Sequence, residues 1–370
     1  MHKKEYGQET NKTIKITGRY IVVFLFIFIF LIAGCPLGFA RSQGDVPCIW
    51  NGIDKIIAIG DLHGDYENFI IILKGTFLVN EDLNWIGGKT HLVQTGDVLD
   101  RGPNARKIFD LLKKLEKEAK SAGGKVHMLL GNHEEMNIVG IAMGGPGYVP
   151  VEQFISFLTE DFRDKHEKKI REKFIRKNNG EDSDNGLLEA ELKQYWQNYI
   201  KTHKKSAEEA YFVGFNELYG DWLLEHDVVI KINDIVFSHG GISEKFSKWD
   251  LEKINERYRE ELIEFRRAWW PGVQPAIQRP EFVYNPQSPM WYRELALGGE
   301  EEFEQTVDRI LVNLKARYIV IAHTPRLAHI QSRFGDRVWL IDTGISRVYG
   351  GNATALVIED GKFSPWEFIQ

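Results

Sequence analysis

Six residues spread along the chain carry side chains that divalent cations accept: Asp61, His63, Asp97, Asn132, His239 and His323. Hard cations want oxygen ligands, and imidazole suits Mn, Fe and Zn. Asp61 and His63 flank Leu62, so at the end of a strand both can turn toward one pocket while Gly60 and Gly64 permit tight backbone paths. Asp97 could bridge two ions, because a carboxylate has several lone-pair sites. The residues sort into two overlapping sets: Asp61, His63 and Asp97 on one ion, and Asp97, Asn132, His239 and His323 on another. Two metals about 3.5–4 Å apart can activate a water and neutralise a phosphoryl group under in-line attack. The ligand types do not choose among Mn, Fe and Zn. With only 2 cysteines, Cys35 and Cys48, neither a Cys-rich zinc site nor a disulfide framework can be built.

Short apolar runs must position these groups. Lys55–Ile59, His91–Gln94, Lys125–Leu130, Ile235–Phe237 and Tyr318–Ala322 each end in a Gly- or His-containing polar cluster. Apolar runs bounded in this way read as buried strands. Helical patterns lie between them at Tyr66–Leu73, Ala105–Ala119 and Leu251–Ala268. Strands alternating with helices predict an α/β architecture, whose sites form at the carboxyl ends of strands. Near the end of the chain, Arg337–Ile341 and Ala355–Ile358 read as further strands, with Asp360-Gly361 as a hairpin turn.

Five clusters in this order resemble the calcineurin-like metallophosphoesterases of the phosphoprotein-phosphatase type. The resemblance rests on GDLHG (Gly60–Gly64), GDVLDRG (Gly96–Gly102), GNHE (Gly131–Glu134), HGG (His239–Gly241) and the late His323, and it spans residues 54–360. It implies a four-layer α/β/β/α sandwich with a dimetal site at strand ends. It also implies hydrolysis of phosphomonoesters by a hydroxide bridging two metal ions, with no covalent phosphoenzyme. Under the same resemblance His133 protonates the leaving oxygen and Asp100 orients it, while Arg101 and Asn132 contact the phosphate. A second arginine clamp is expected. Arg293 in the Ser288–Arg293 segment is the candidate, with Arg266, Arg267 and Arg347 as alternatives.

The branch follows from further details. General phosphodiesterases of this superfold usually place a second His two residues after the last one, whereas His323 is followed by Thr324-Pro325. Ile341–Ser346 and Tyr349–Asn352 stand where eukaryotic Ser/Thr phosphatases carry an SAPNY-like segment. With the MWYR and ISRVYGG segments, this is most similar to the Shewanella-like protein phosphatases, and implies a phosphoprotein phosphatase acting on a phosphorylated protein or a small phosphomonoester. The alternatives are a symmetrical dinucleoside tetraphosphate hydrolase, with Trp269, Trp270, Trp291 or Tyr292 stacking on adenine, and a broad phosphomonoesterase. A non-catalytic docking protein would be expected to lack a ligand or His133, and neither is missing.

Composition bounds the rest. The 370 residues are 43% hydrophobic and 27% charged, as expected of a folded protein. Net charge is −6, and removing the first twenty residues, which carry +3, leaves −9. Such an acidic body argues against nucleic acid as a partner. Residues 21–33 are thirteen consecutive apolar residues after a basic stretch, too few to span a membrane as a helix and right for a signal-peptide core. Residues 1–40 therefore read as an export signal and 41–370 as the catalytic domain. Ile32–Cys35 resembles a lipobox, cleavage after Ala40 is a second reading, and an uncleaved anchor a third. All three place the body in the periplasm or at the cell surface, with membrane contact only through the signal or a lipid anchor. Cys48 reads as a small buried apolar residue. A charged helical insertion is expected at about 150–210, where residues 161–210 hold twelve Lys/Arg and eleven Asp/Glu. It reads as a solvated face, or as an arm attracting phosphorylated substrate. Asn178–Gly180 and Asp184–Gly186 are predicted loops within it.

Overall fold

The computed structural model describes residues 47–145, 147–177, 185–269, 280–326 and 329–368. The export segment, the Asn178–Gly180 loop and Trp270 lie outside the described residues.

Eleven strands are described: β1 (Ile49–Trp50), β2 (Lys55–Ile59), β3 (His91–Gln94), β4 (Lys125–Met128), β5 (Val229–Ile232), β6 (Ile235–Ser238), β7 (Tyr318–Ile321), β8 (Gln331–Arg333), β9 (Val338–Leu340), β10 (Thr354–Glu359) and β11 (Lys362–Glu367). They form a five-stranded sheet in the order β11-β10-β2-β3-β4 and a six-stranded sheet in the order β1-β5-β6-β7-β9-β8. β2, β3 and β4 run parallel, and so do β6, β7 and β9. Parallel strands buried on both faces must be largely apolar, and β2 and β3 are buried along nearly their whole length. Asp360 and Gly361 both adopt positive φ, 52° and 73°, as a type I′ turn between β10 and β11 requires.

Helices flank both sheets. Ala105–Ser121 packs on β4, and Leu251–Ala268 packs on β5. A bridge between Leu129 and Asp227, with Leu130 N donating to Asp227 O at 3.1 Å, ties the exit of β4 to the approach to β5. The two sheets thus present the carboxyl ends of β2, β3, β4, β6, β7 and β9 to a common region. This is the expected α/β architecture, two sheets flanked by helices. Cys48 is buried and free, as its apolar reading required. Among the described residues no helix is long and apolar enough to cross a membrane.

The charged segment is helical, as expected, and largely exposed along Glu160–Lys177, while its flanks enter the core. It forms helices Val151–Phe157, Glu160–Lys177, Asn185–Thr202 and Lys204–Phe215. Phe154, Phe157, Trp196, Tyr211 and Phe215 belong to the main hydrophobic core. Only Phe174, Leu188 and Leu192, with Ile170 beside them, form a separate cluster. Charge dominates the composition because helices Glu160–Lys177 and Asn185–Thr202 show solvent broad faces, while Trp196 and the flanking helices bring aromatic rings into the core. Asn185 opens a helix, so the expected Asp184–Gly186 loop is not a loop at its second half.

Candidate active site

The six proposed ligands converge. Asp61 and His63 follow β2, Asp97 follows β3, Asn132 follows β4, His239 follows β6 and His323 follows β7, and all are at most 5% exposed. His63 Nε2 stands 4.0 Å from Asp61 Oδ2 and 3.8 Å from Asp97 Oδ2. His239 Nε2 stands 3.3 Å from Asp97 Oδ2 and 3.0 Å from Asn132 Oδ1. Asp61 Oδ1 accepts from His323 N at 3.3 Å. Potential ligand atoms of Asp97, His239 and His323 lie within 4.8 Å of one another, as do those of His63, Asp97 and His133.

The donor set fits metal ions. His63 Nδ1 faces Leu99 O at 2.8 Å and His239 Nδ1 faces Thr95 O at 3.0 Å. A carbonyl oxygen only accepts, so both Nδ1 atoms carry the proton and both Nε2 atoms offer lone pairs inward. At His239 that lone pair meets oxygens that are acceptors too, a clash that a cation between them would relieve. His323 Nε2 and Asp342 Oδ2 are buried with no hydrogen-bond partner. Burial and the His133 charge push the His63 imidazole down to about 4, which keeps it neutral and able to ligate. Burial opposes ionisation of Asp97, but His239, His133 and His63 hold its carboxyl well below the usual range.

His133 plays a different part. Its Nδ1 lies 2.6 Å from Asp100 Oδ2, and its Nε2 lies 3.9 Å from Asp97 Oδ2. Burial works against its charge, yet Asp97 and the Asp100 hydrogen bond raise it to about 9. A protonated imidazole has no lone pair for a metal and does have a proton to give. The Arg101 guanidinium lies over the Tyr148 ring at 4.3 Å, its Nε buried and without a partner. Arg293 Nη1 donates to His323 O at 2.9 Å and Thr324 Oγ1 at 3.0 Å, which puts this side chain beside the cluster. Of the alternative arginines, Arg266 pairs with Asp221, Arg267 with Glu264, and the exposed Arg347 reaches Asp65 and Glu67.

Several supporting residues were not identified from sequence. Glu134 was only one letter of GNHE. It accepts from Asp97 N (2.7 Å) and Gly131 N (2.9 Å) on Oε2, and from Val98 N (3.0 Å) and Leu99 N (3.2 Å) on Oε1. Burial and the Asp97 charge push Glu134 up to about 7, against the pull of these amides. Gly131 sits so close to Asp97 Oδ1 and N that no Cβ fits there. Asp342, at the end of β9, is raised to about 6 by burial against the Gly344 amide, and its charge is felt by Asp61. Its signal was an Asp directly after an apolar strand, the same signal that marked Asp61. Tyr349 sets its ring 5.4 Å from that of His63, Tyr148 lies 5.2 Å from His133, and Trp291 lies 6.1 Å from His323. Of the aromatics considered for adenine, Trp269 stacks on Phe212 at 4.0 Å and Tyr292 is buried, so both are packing.

A buried pocket of lone pairs at the strand ends, beside a protonated imidazole and a guanidinium, defines a metal-dependent phosphoesterase. Residues 54–327 match the model of the calcineurin-like phosphoesterases, and the chain belongs to that family. An uncharacterized protein of Schizosaccharomyces pombe is 31% identical over 86% of this chain and 82% of its own. Shewanella-like protein phosphatase 1 of Plasmodium berghei is 29% identical over 80% of this chain and 68% of its own. Among solved structures, a cold-active protein tyrosine phosphatase superposes with TM-score 0.60 at 25% identity, covering 86% of this chain and 80% of that one.

Glu135 provides a test of the packing beneath the site. Its Oε2 accepts from the Tyr258 hydroxyl (2.8 Å), and its Oε1 from Tyr284 N (3.0 Å) and Trp291 Nε1 (2.9 Å). Burial raises it from 4.5 to about 7, with Glu261 adding to the shift against those bonds. A raised carboxyl favours the protonated form in the fold, so its contribution is fully present below 4.5 and is lost as pH rises through about 7. Glu135→Gln can keep all three bonds without the charge. Its melting temperature should exceed that of the wild type by a few degrees at about pH 8 and match it near 4.5. An equal offset at both pH values would refute the assignment.

Proposed function

We propose that the chain is a metal-dependent phosphoprotein phosphatase. The observation that carries the reading is the 2.6 Å Asp100–His133 pair set against the Asp61, His63, Asp97, Asn132, His239 and His323 cluster, with the open guanidinium of Arg101 alongside. In this reading Asp61, His63 and Asp97 would hold one ion, and Asp97, Asn132, His239 and His323 another. Asp342, adjoining Asp61, helps to balance the charge. Divalent ions there would supply positive charge against the phosphoryl oxygens and acidify water. Arg101 grips the phosphate through its planar fork of donors, Asn132 contributes a polar contact, and Arg293 is the second clamp. His133 Nε2 gives its proton to the departing oxygen while Asp100 holds Nδ1. Manganese, iron and zinc all suit the donors.

The names of the relatives support protein substrates, one of them a tyrosine phosphatase. The half-buried rings of Tyr148, Tyr349 and Trp291 around the cluster favour a flat aryl phosphate over a short alkyl one. The deciding experiment strips residues 41–370 of metal, restores Mn²⁺, and follows phosphate release from phosphotyrosine, phosphoserine and phosphothreonine peptides and from diadenosine tetraphosphate. Phosphotyrosine peptides should turn over fastest. Cleavage of the dinucleotide with idle peptides would make the chain a dinucleotide hydrolase instead.

The roles separate by mutation. Asp97→Asn should lower bound metal and activity together. His133→Asn should keep its metal and lose about 10²–10⁴-fold in rate. Elemental analysis beside kinetics reads both, and full activity in His133→Asn would remove it from the mechanism.

The address is proposed on sequence alone: the basic start and the thirteen apolar residues support export, and Cys35 supports lipidation. Fractionation of expressing bacterial cells, with mass analysis of the mature N-terminus, tests this. Full-length protein confined to the cytosol would overturn it.

A further inference from the structure

The two ends of the charged segment meet around Asp100. Asp100 N donates to Gln153 Oε1 at 2.8 Å, and Gln153 Nε2 donates back to Asp100 Oδ1 at 2.8 Å. Gln153 comes from helix Val151–Phe157. Its Nε2 also reaches the hydroxyl of Tyr211, in helix Lys204–Phe215, at 2.7 Å. The Tyr211 hydroxyl donates to Asn137 Oδ1 at 2.7 Å. Asn137 Nδ2 donates to His133 O at 2.8 Å and approaches the Asp100 oxygens at 3.3 and 3.2 Å. Asp100, Gln153, Asn137 and Tyr211 are each no more than 2% exposed.

The directions of these bonds leave one arrangement. Asp100 N can only donate, which fixes the Gln153 oxygen toward it and the Gln153 nitrogen toward Oδ1. A flipped amide would set donor against donor and acceptor against acceptor. With its nitrogen fixed, Gln153 gives one hydrogen to Asp100 and the other to Tyr211, so the hydroxyl hydrogen must go to Asn137. Asp100 needs this grip, because its backbone sits at φ 70°, in the left-handed region. Its second oxygen is the one that meets His133 Nδ1.

We infer that Gln153 and Tyr211 are positioning residues, which lock the Asp100 carboxylate so that His133 presents its proton to the leaving group. This rests on the phosphatase reading above. Neither residue touches the metal-ligand cluster in any described contact. Both act through Asp100, and the charged segment thereby serves the chemistry rather than decorating the surface.

A positioning role and a merely structural one differ in leaving-group dependence. Para-nitrophenolate departs readily without a proton, whereas phenolate and alkoxides need one. Gln153→Leu should lower kcat on phenyl phosphate and on phosphoserine peptide about tenfold or more, part of the 10²–10⁴-fold a positioned acid contributes. On para-nitrophenyl phosphate the loss should be small, with KM and metal content unchanged. Tyr211→Phe, which removes only a hydroxyl, should act in the same direction more weakly, and it serves if Gln153→Leu does not fold. In a His133→Asn background, neither substitution should lower the rate further. Equal losses on all substrates, no loss on any, or full additivity with His133→Asn would each overturn the inference and leave the phosphatase reading standing. A wild-type protein idle on every phosphomonoester would sink both.

Discussion

The arrangement hangs on one carboxylate. Glu134 spends both oxygens on four backbone amides, three of them from consecutive residues Asp97, Val98 and Leu99 and the fourth from Gly131. It therefore binds the loop after β3, which carries Asp97, Asp100 and Arg101, to the start of helix Asn132–Ile138, which carries Asn132 and His133. A buried carboxylate is costly unless its lone pairs are filled, and here backbone amides fill them. Removing it would leave four buried amides without partners and the two segments without a common anchor. His133 N adds a second tie by donating to Asp97 Oδ1 at 2.9 Å. Spacing alone could not have held Asp97 and His133 together, since they are 36 residues apart in sequence.

The parts legible in sequence are those with a local pattern. Short apolar runs ending in glycine and a polar cluster marked β2, β3, β4, β6 and β7 to within two residues, because a buried parallel strand must be apolar and its ligand-bearing turn needs tight backbone. The Asp360-Gly361 hairpin was legible for the same reason, a turn type with its own chemistry. The supporting residues carried no such pattern. Gln153 and Tyr211 lie 53 and 74 residues from their partners Asp100 and Asn137, at the two edges of a segment whose charge pointed to solvent. Glu135 meets Trp291 across 156 residues. An acidic side chain following a catalytic motif reads as surface until the fold brings an indole and a tyrosine hydroxyl to it. Arg293 sat between these cases: its motif was weak, but its bond to the carbonyl of His323 sets it at the cluster.

The backbone shows what the site costs. His63 (φ 40°), Asp97 (54°), Asp100 (70°), Arg101 (68°) and His323 (66°) all occupy the left-handed region without being glycine. Each such residue costs on the order of 1–3 kcal/mol, and such strain persists only where the surroundings over-determine it. The surroundings do so here. Asp100 is held by Gln153 at its amide and its carboxylate, Arg101 N donates to Tyr148 O at 2.8 Å, and His63 N donates to Asp97 O at 2.9 Å. His323 N is held by Asp61, and its carbonyl by Arg293. Three of the six proposed ligands, His63, Asp97 and His323, are among these strained residues, together with Asp100 and Arg101 beside them. The stability of the two sheets and the buried aromatic stripe of the charged helices therefore underwrites the geometry of the site. The substitutions most damaging to chemistry include those that release this strain, even where the residue changed never meets a substrate.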